Sequence, residues 1–133
     1  MVYLDGGDGA SDQFNSFISN NITALQTYVT AGGHLLINAA SWTGGFLDTG
    51  FGAALEFNPS YTLASSSGTA ADPNNPIFNG PNGSAGTFWT GNWFSHDIVV
   101  STGASLRTLI TGSAGAVLVD ENRPVFPIPA TAG

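Results

Sequence analysis

Residues 2 to 40 constrain this chain more than any other stretch. Val2-Tyr3-Leu4 is a short apolar run that breaks into Asp5-Gly6-Gly7-Asp8-Gly9. That is the pattern of a buried strand ending in a glycine turn. Phe14, Phe17, Ile18, Ile22, Leu25, Tyr28 and Val29 then recur at three- and four-residue steps. The spacing predicts one amphipathic helix. Ser11 or Asp12 can cap its first amides, and Gly32-Gly33 offers the left-handed residue that ends it. His34-Leu35-Leu36-Ile37-Asn38 follows as a second strand. Its continuous apolar centre predicts burial on both faces, as in a parallel sheet. Strand, helix and strand together make a right-handed βαβ unit.

The remainder is less regular. Residues 39–52 read as a glycine-rich loop carrying Trp42 and Phe46, and Ala53 to Phe57 as a short strand. Asn58-Pro59, Ser65-Ser66-Ser67-Gly68, Asp72-Pro73 and Gly80-Pro81 mark residues 60–83 as rich in turns. Phe88 to Val100 is aromatic and strand-like. Leu106 to Ile110 and Ala116 to Val119 predict two more strands around a tight turn at Gly112-Ser113-Ala114-Gly115. One domain over residues 1–123 and an extended, proline-rich tail over 124–133 fit this pattern and the 133-residue length. The expected class is α/β, with a flavodoxin-like parallel sheet flanked by helices.

Composition narrows the function. Two arginines, Arg107 and Arg123, face nine acidic residues, for a net charge of −7. Phosphate contacts need a basic footprint, so nucleic acid is disfavoured as a partner, and anionic membrane surfaces likewise. No cysteine is present. That excludes disulfides, a thiolate nucleophile and a zinc-thiolate site. No apolar run approaches the ~20 residues of a membrane span. The lysine-free, acidic chain rich in Gly, Ser, Thr and Asn suits a secreted or cell-surface bacterial protein. Met1 leads straight into a strand, as at a start placed on a mature domain.

Val2-Tyr3-Leu4-Asp5-Gly6-Gly7, followed by Tyr28-Val29-Thr30-Ala31-Gly32-Gly33-His34-Leu35-Leu36-Ile37, resembles the class I glutamine amidotransferase-like fold. The nearest likeness is to its trehalose-utilisation-like branch and the secreted bacterial relatives of that branch. Asn75-Pro76-Ile77-Phe78-Asn79-Gly80 is similar to that branch's "HPI-x-x-G" segment, with Asn75 in place of His. Trp93-Phe94-Ser95 resembles the aromatic strand that follows. The likeness covers residues 2–122. It implies a partial or trimmed version of the domain, because the family has an earlier strand–helix–strand portion and a further strand at its end. It also implies that the strand after the double glycine should deliver a cysteine nucleophile. Ala39-Ala40 stands there, so glutaminase chemistry is excluded. A parallel sheet trimmed in this way exposes an edge, from which a homodimer, or a place within a larger chain, is expected.

Three sets of residues are candidates for chemistry. Asp5, Asp8 and Asp12 lie in or beside a glycine-rich turn and could offer hard oxygen ligands to calcium, the one candidate cofactor. They do not match the EF-hand pattern, and acids at a helix start also serve the dipole. Asp120 and Glu121, with His96 as helper and Glu56 or Asp5 as further carboxylates, are the candidates for acid/base hydrolysis of a glycoside. Asp120 ends a strand, the edge where ligands bind in open α/β sheets. His96 and Asp97 are adjacent, and on a strand they would point to opposite faces. Trp42, Phe88, Trp89, Trp93 and Phe94 form an aromatic set. Most are expected in the core, with Trp42 the best candidate for an exposed ligand-stacking residue.

The expected function is a non-catalytic secreted module that binds a glycan or a protein partner, or serves a structural role. The alternative is a hydrolase acting on carbohydrate through carboxylates at the carboxyl edge of the sheet.

Overall fold

The computed structural model describes residues 1–6, 11–40, 45–103 and 106–121. Trp42, Asp8, Ser41, Arg123 and the 124–133 tail lie outside the described residues, as does the side chain of Glu121.

The opening unit forms as the pattern predicts. β1 (Val2–Gly6) leads to α1 (Ser11–Thr30), and β2 (Leu35–Ala39) returns parallel to β1, with Val2 opposite Leu35 and Gly6 opposite Ala39. The helix stops where the double glycine stands. Gly33 N–H donates to Tyr28 O at 2.9 Å and Gly32 N–H to Val29 O at 3.0 Å. Gly32 holds φ at +92°. That is a Schellman closure, which uses the conformation that costs glycine nothing.

The rest of the chain overturns the flavodoxin-like expectation. β3 (Gly45–Asp48), β4 (Ala53–Phe57) and β9 (Ile98–Ser101) form a three-stranded sheet in the order β3-β4-β9. β5 (Ser65–Ala70), β8 (Phe88–Ser95), β10 (Leu106–Thr111) and β11 (Ala116–Glu121) form a four-stranded sheet in the order β11-β10-β5-β8. A 3-10 turn at Pro76–Phe78 precedes a small ribbon of β6 (Asn79–Gly80) and β7 (Gly83–Ser84). Among the described residues every strand pair except β1–β2 is antiparallel, and α1 is the one α-helix. The chain is therefore a mostly antiparallel β-structure carrying one βαβ unit. It is not a parallel sheet with helices on its two faces.

Two details explain the misreading. The apolar run of β2 is not buried on both sides: Leu36 is exposed, like its partner Tyr3, while Leu4 and Ile37 pack beneath α1. Ser65–Ala70 reads as a turn because it has no apolar pattern, yet β5 is an inner strand paired to β10 and to β8. Small residues are required there. A Cβ on Gly68 would run into the side chains of Phe94 and Ile110.

Two apolar clusters hold the layers. Phe14, Ile18 and Leu47 bury together, with Leu4, Leu25, Ile37, Ala39 and Leu55 packed around them. This joins the βαβ unit to the three-stranded sheet. Ala70, Phe78, Leu109 and Ile110 form the second cluster, with Trp89, Phe94, Val117 and Leu118 against it. Each large side chain buried here contributes about 1.5–3 kcal/mol.

Candidate functional site

A cleft of about 340 Å³ opens where these layers meet. The carboxyl end of β2 gives Asn38, Ala39 and Ala40 to its wall. Its apolar floor comes from Leu55 on β4, Val99 on β9, Ile110 on β10, and Val117 and Leu118 on β11. Its remaining wall is Trp93 to Asp97, from the end of β8 and the turn into β9.

Irregular backbone shapes that last wall. Along β5 and β8, Ser67 faces Thr90 but Ser65 faces Ser95. Residues 91–94 bulge out of the ladder between those pairs. A bulge re-aims a side chain, and here it turns Trp93 outward, 51% exposed, at φ +61°. Tyr61 meets it from the turn after β4. That turn is held by Tyr61 N–H to Asn58 O at 2.8 Å and by Ser60 N–H to Asn58 Oδ1 at 2.7 Å. Tyr61 is 43% exposed, at φ +56°. Among the described residues these two are the non-glycine positions with positive φ. For a bulky side chain the left-handed region costs about 1–2 kcal/mol. Such strain persists only where surrounding structure enforces it, commonly at ligand sites.

The ring of His96 completes the group. It lies 5.7 Å from the Trp93 ring and 6.4 Å from that of Tyr61, centroid to centroid. Phe57 supports Tyr61 from below, edge-on at 5.8 Å. Asp97, 6% exposed, sits deeper in the wall. His96 and Asp97 occupy the bend between β8 and β9. The strand alternation expected of them therefore does not apply, and both line the cleft. Ser95 lines it too, and its Oγ is buried with no hydrogen-bond partner.

The other expected site residues are dispersed. Asp120 is opposite Arg107 across β10 and β11 and accepts from its guanidinium at 2.7 Å, outside the cleft lining. Glu121 follows it on β11. Asp5, exposed on β1, accepts from Asn38 Nδ2 at 3.0 Å. Asp12 falls in the first turn of α1, and the third member of the proposed calcium turn, Asp8, lies outside the described residues. Among the described residues no three His, Cys, Asp or Glu side chains gather closely enough to hold a metal. Trp42, the expected stacking residue, also lies outside the described residues, and Trp93 takes the position of an exposed aromatic at the cleft. Trp89 and Phe94 pack on the core as expected, while Phe88 is exposed on β8. One signal for Trp93 was present in the sequence. Gly91-Asn92 interrupts an aromatic strand, and a glycine inside a strand commonly marks a bulge.

No helix among the described residues is long and apolar enough to cross a membrane. Comparison of the chain with protein-family models, with curated proteins and with solved structures returns no match.

Proposed function

We propose that this chain is a non-catalytic binding module of a secreted or cell-surface bacterial protein, and that it holds a glycan against Trp93 and Tyr61 at the mouth of the cleft. The carrying observation is the exposed pair of rings, 5.2 Å apart, set in left-handed backbone above a concave site. Sugar rings present C–H-rich faces to aromatic rings and hydroxyls to polar groups. The cleft offers both, with Trp93 beside Asn38, Ser95, His96 and Asp97. A volume near 340 Å³ falls at the low end of the ~300–1,000 Å³ typical of small-molecule sites. The lysine-free, acidic composition supports the location.

One observation favours the hydrolase instead: His96 and Asp97 line one cavity. Glycoside hydrolysis, however, requires two carboxyl groups roughly 5–10 Å apart across the bond. Among the described residues Asp97 is the one carboxylate in the lining. Binding without turnover is the reading these residues support.

The test is affinity electrophoresis and calorimetry of the pure chain against insoluble and soluble polysaccharides, with product analysis by chromatography. Retention that is lost in Trp93→Ala, with no released sugar, is the expected result. Released sugar that disappears in Asp97→Asn would replace this reading with the hydrolase.

A further inference from the structure

We infer that Asn82 is a site of spontaneous covalent modification, converted to aspartate and isoaspartate by attack of the Gly83 amide, and that the fold holds back the same reaction at Asn79. The chain contains two Asn-Gly dipeptides, Asn79-Gly80 and Asn82-Gly83. Glycine puts no side chain beside the attacking nitrogen and leaves the backbone free to rotate. In the reaction hydroxide takes the Gly83 amide proton, and the nitrogen bonds to Asn82 Cγ. The Cγ–Nδ2 bond breaks, and Nδ2 leaves as ammonia with a proton from water, which restores the hydroxide. Water then opens the five-membered ring at either carbonyl. A neutral side chain becomes a carboxylate, in a chain whose net charge is already −7.

Ring closure needs the next amide nitrogen to eclipse Cβ, a ψ that side chains disfavour, so the segment must be able to rotate. Asn79 is not. It caps the 3-10 turn with φ −129° and ψ +83°, which turns the Gly80 nitrogen nearly opposite its Cβ. Its N–H donates to Pro76 O, and its Nδ2 donates to Asn75 O at 3.4 Å. Phe78, the residue before it, is 5% exposed in the second apolar cluster. Asn82 stands at the other end of the ribbon. With Gly80 opposite Gly83, the loop is Pro81-Asn82, and both are exposed. Gly83 holds φ at +113°, in open space. Strands of two residues fray readily, so the loop tip samples rotated backbone that Asn79 is denied. Isoaspartate also adds a methylene to the backbone of that tip. The two-residue loop then no longer sets Asn79 opposite Ser84, beside the bond from Ala85 N–H to Phe78 O at 2.8 Å.

The experiment is incubation of the full 133-residue chain in mildly alkaline buffer, folded and in concentrated urea. Samples are digested at acidic pH, and electron-transfer fragmentation in the mass spectrometer assigns each conversion to its residue and separates aspartate from isoaspartate. In the folded chain Asn82 should convert several-fold faster than Asn79, with isoaspartate the larger product and the rate rising with pH. In urea the two residues should convert at closely similar rates, because only the fold separates them. Asn82→Ser should abolish the fast conversion and leave the slow one at Asn79. The isoaspartyl form, separated by anion exchange, should melt at a lower temperature than the fresh chain. Equal rates at the two residues in the folded chain, or no conversion of Asn82 over a time in which the urea-unfolded chain converts, would overturn the assignment. A difference between them that persists unchanged in urea would overturn the role of the fold, and an unchanged melting temperature would overturn the link from the loop tip to Phe78.

Discussion

The rings of Tyr61 and Trp93 lie 5.2 Å apart, centroid to centroid, and both residues hold φ near +60°. Each is exposed and each occupies backbone that an L side chain rarely adopts. A bulge supplies one and a hydrogen-bonded turn the other.

Trp93 therefore separates stability from binding. Trp93→Gly relieves a left-handed position costing about 1–2 kcal/mol while losing a ring pair of about 0.5–1.5 kcal/mol. Trp93→Ala loses the ring and keeps the strain. Urea denaturation should place the Gly variant about 1 kcal/mol above the Ala variant, whereas both lose glycan retention. An Ala variant at least as stable as the Gly variant would contradict the assigned backbone.

Arg107 and Asp120 are cross-strand partners at 2.7 Å, with side chains 52% and 49% exposed. Solvent screens such a pair, so Asp120→Asn should cost less than about 1 kcal/mol, and less still at high salt. Glycan affinity should not change. Loss of binding or of a hydrolytic activity in this variant, measured by calorimetry and product release, would return Asp120 to the functional site.

Ser65 is 1% exposed. Its Oγ accepts from Ser113 N–H at 2.9 Å and lies 3.1 Å from Ser113 Oγ. These bonds tie the start of β5 to the turn between β10 and β11. Ser65→Ala leaves a partly buried donor without its acceptor, which costs about 1–3 kcal/mol. Thermal melting should fall accordingly, and hydrogen exchange at Ser113 should accelerate. An unchanged melting temperature would mean that this contact does not form.

Gly68 lies beneath Phe94 and Ile110. Gly68→Val would push these rings and methyl groups apart in the middle of the four-stranded sheet, although valine is the better strand former. Overpacking of this kind costs about 1–3 kcal/mol. Chemical denaturation should show that loss. A stabilised Val variant would mean that β5 is not an inner strand.

The helix Ser11–Thr30, its glycine stop, the parallel pairing of β1 with β2, and the β10–β11 hairpin were all legible in the sequence. Each rests on local physics. A three- and four-residue apolar step, a residue free to take positive φ and a short glycine turn act over a few neighbouring residues. The opening unit then invited a larger conclusion, a flavodoxin-like sheet, that local physics could not support. A βαβ motif does not state how many parallel strands continue it.

Tertiary structure decided the rest. β5 has the composition of a turn, and only pairing on both edges and packing by Phe94 and Ile110 make Ser65–Ala70 a strand. The cleft likewise joins residues from Asn38 to Leu118, brought together by antiparallel pairings whose register no short segment contains. His96 and Asp97 share a wall because the chain bends there, which cancels the alternation of a strand. Local propensity is written in a dozen residues at a time, whereas a site is assembled by contacts between segments distant in the chain, and their energies outweigh propensity wherever the two disagree.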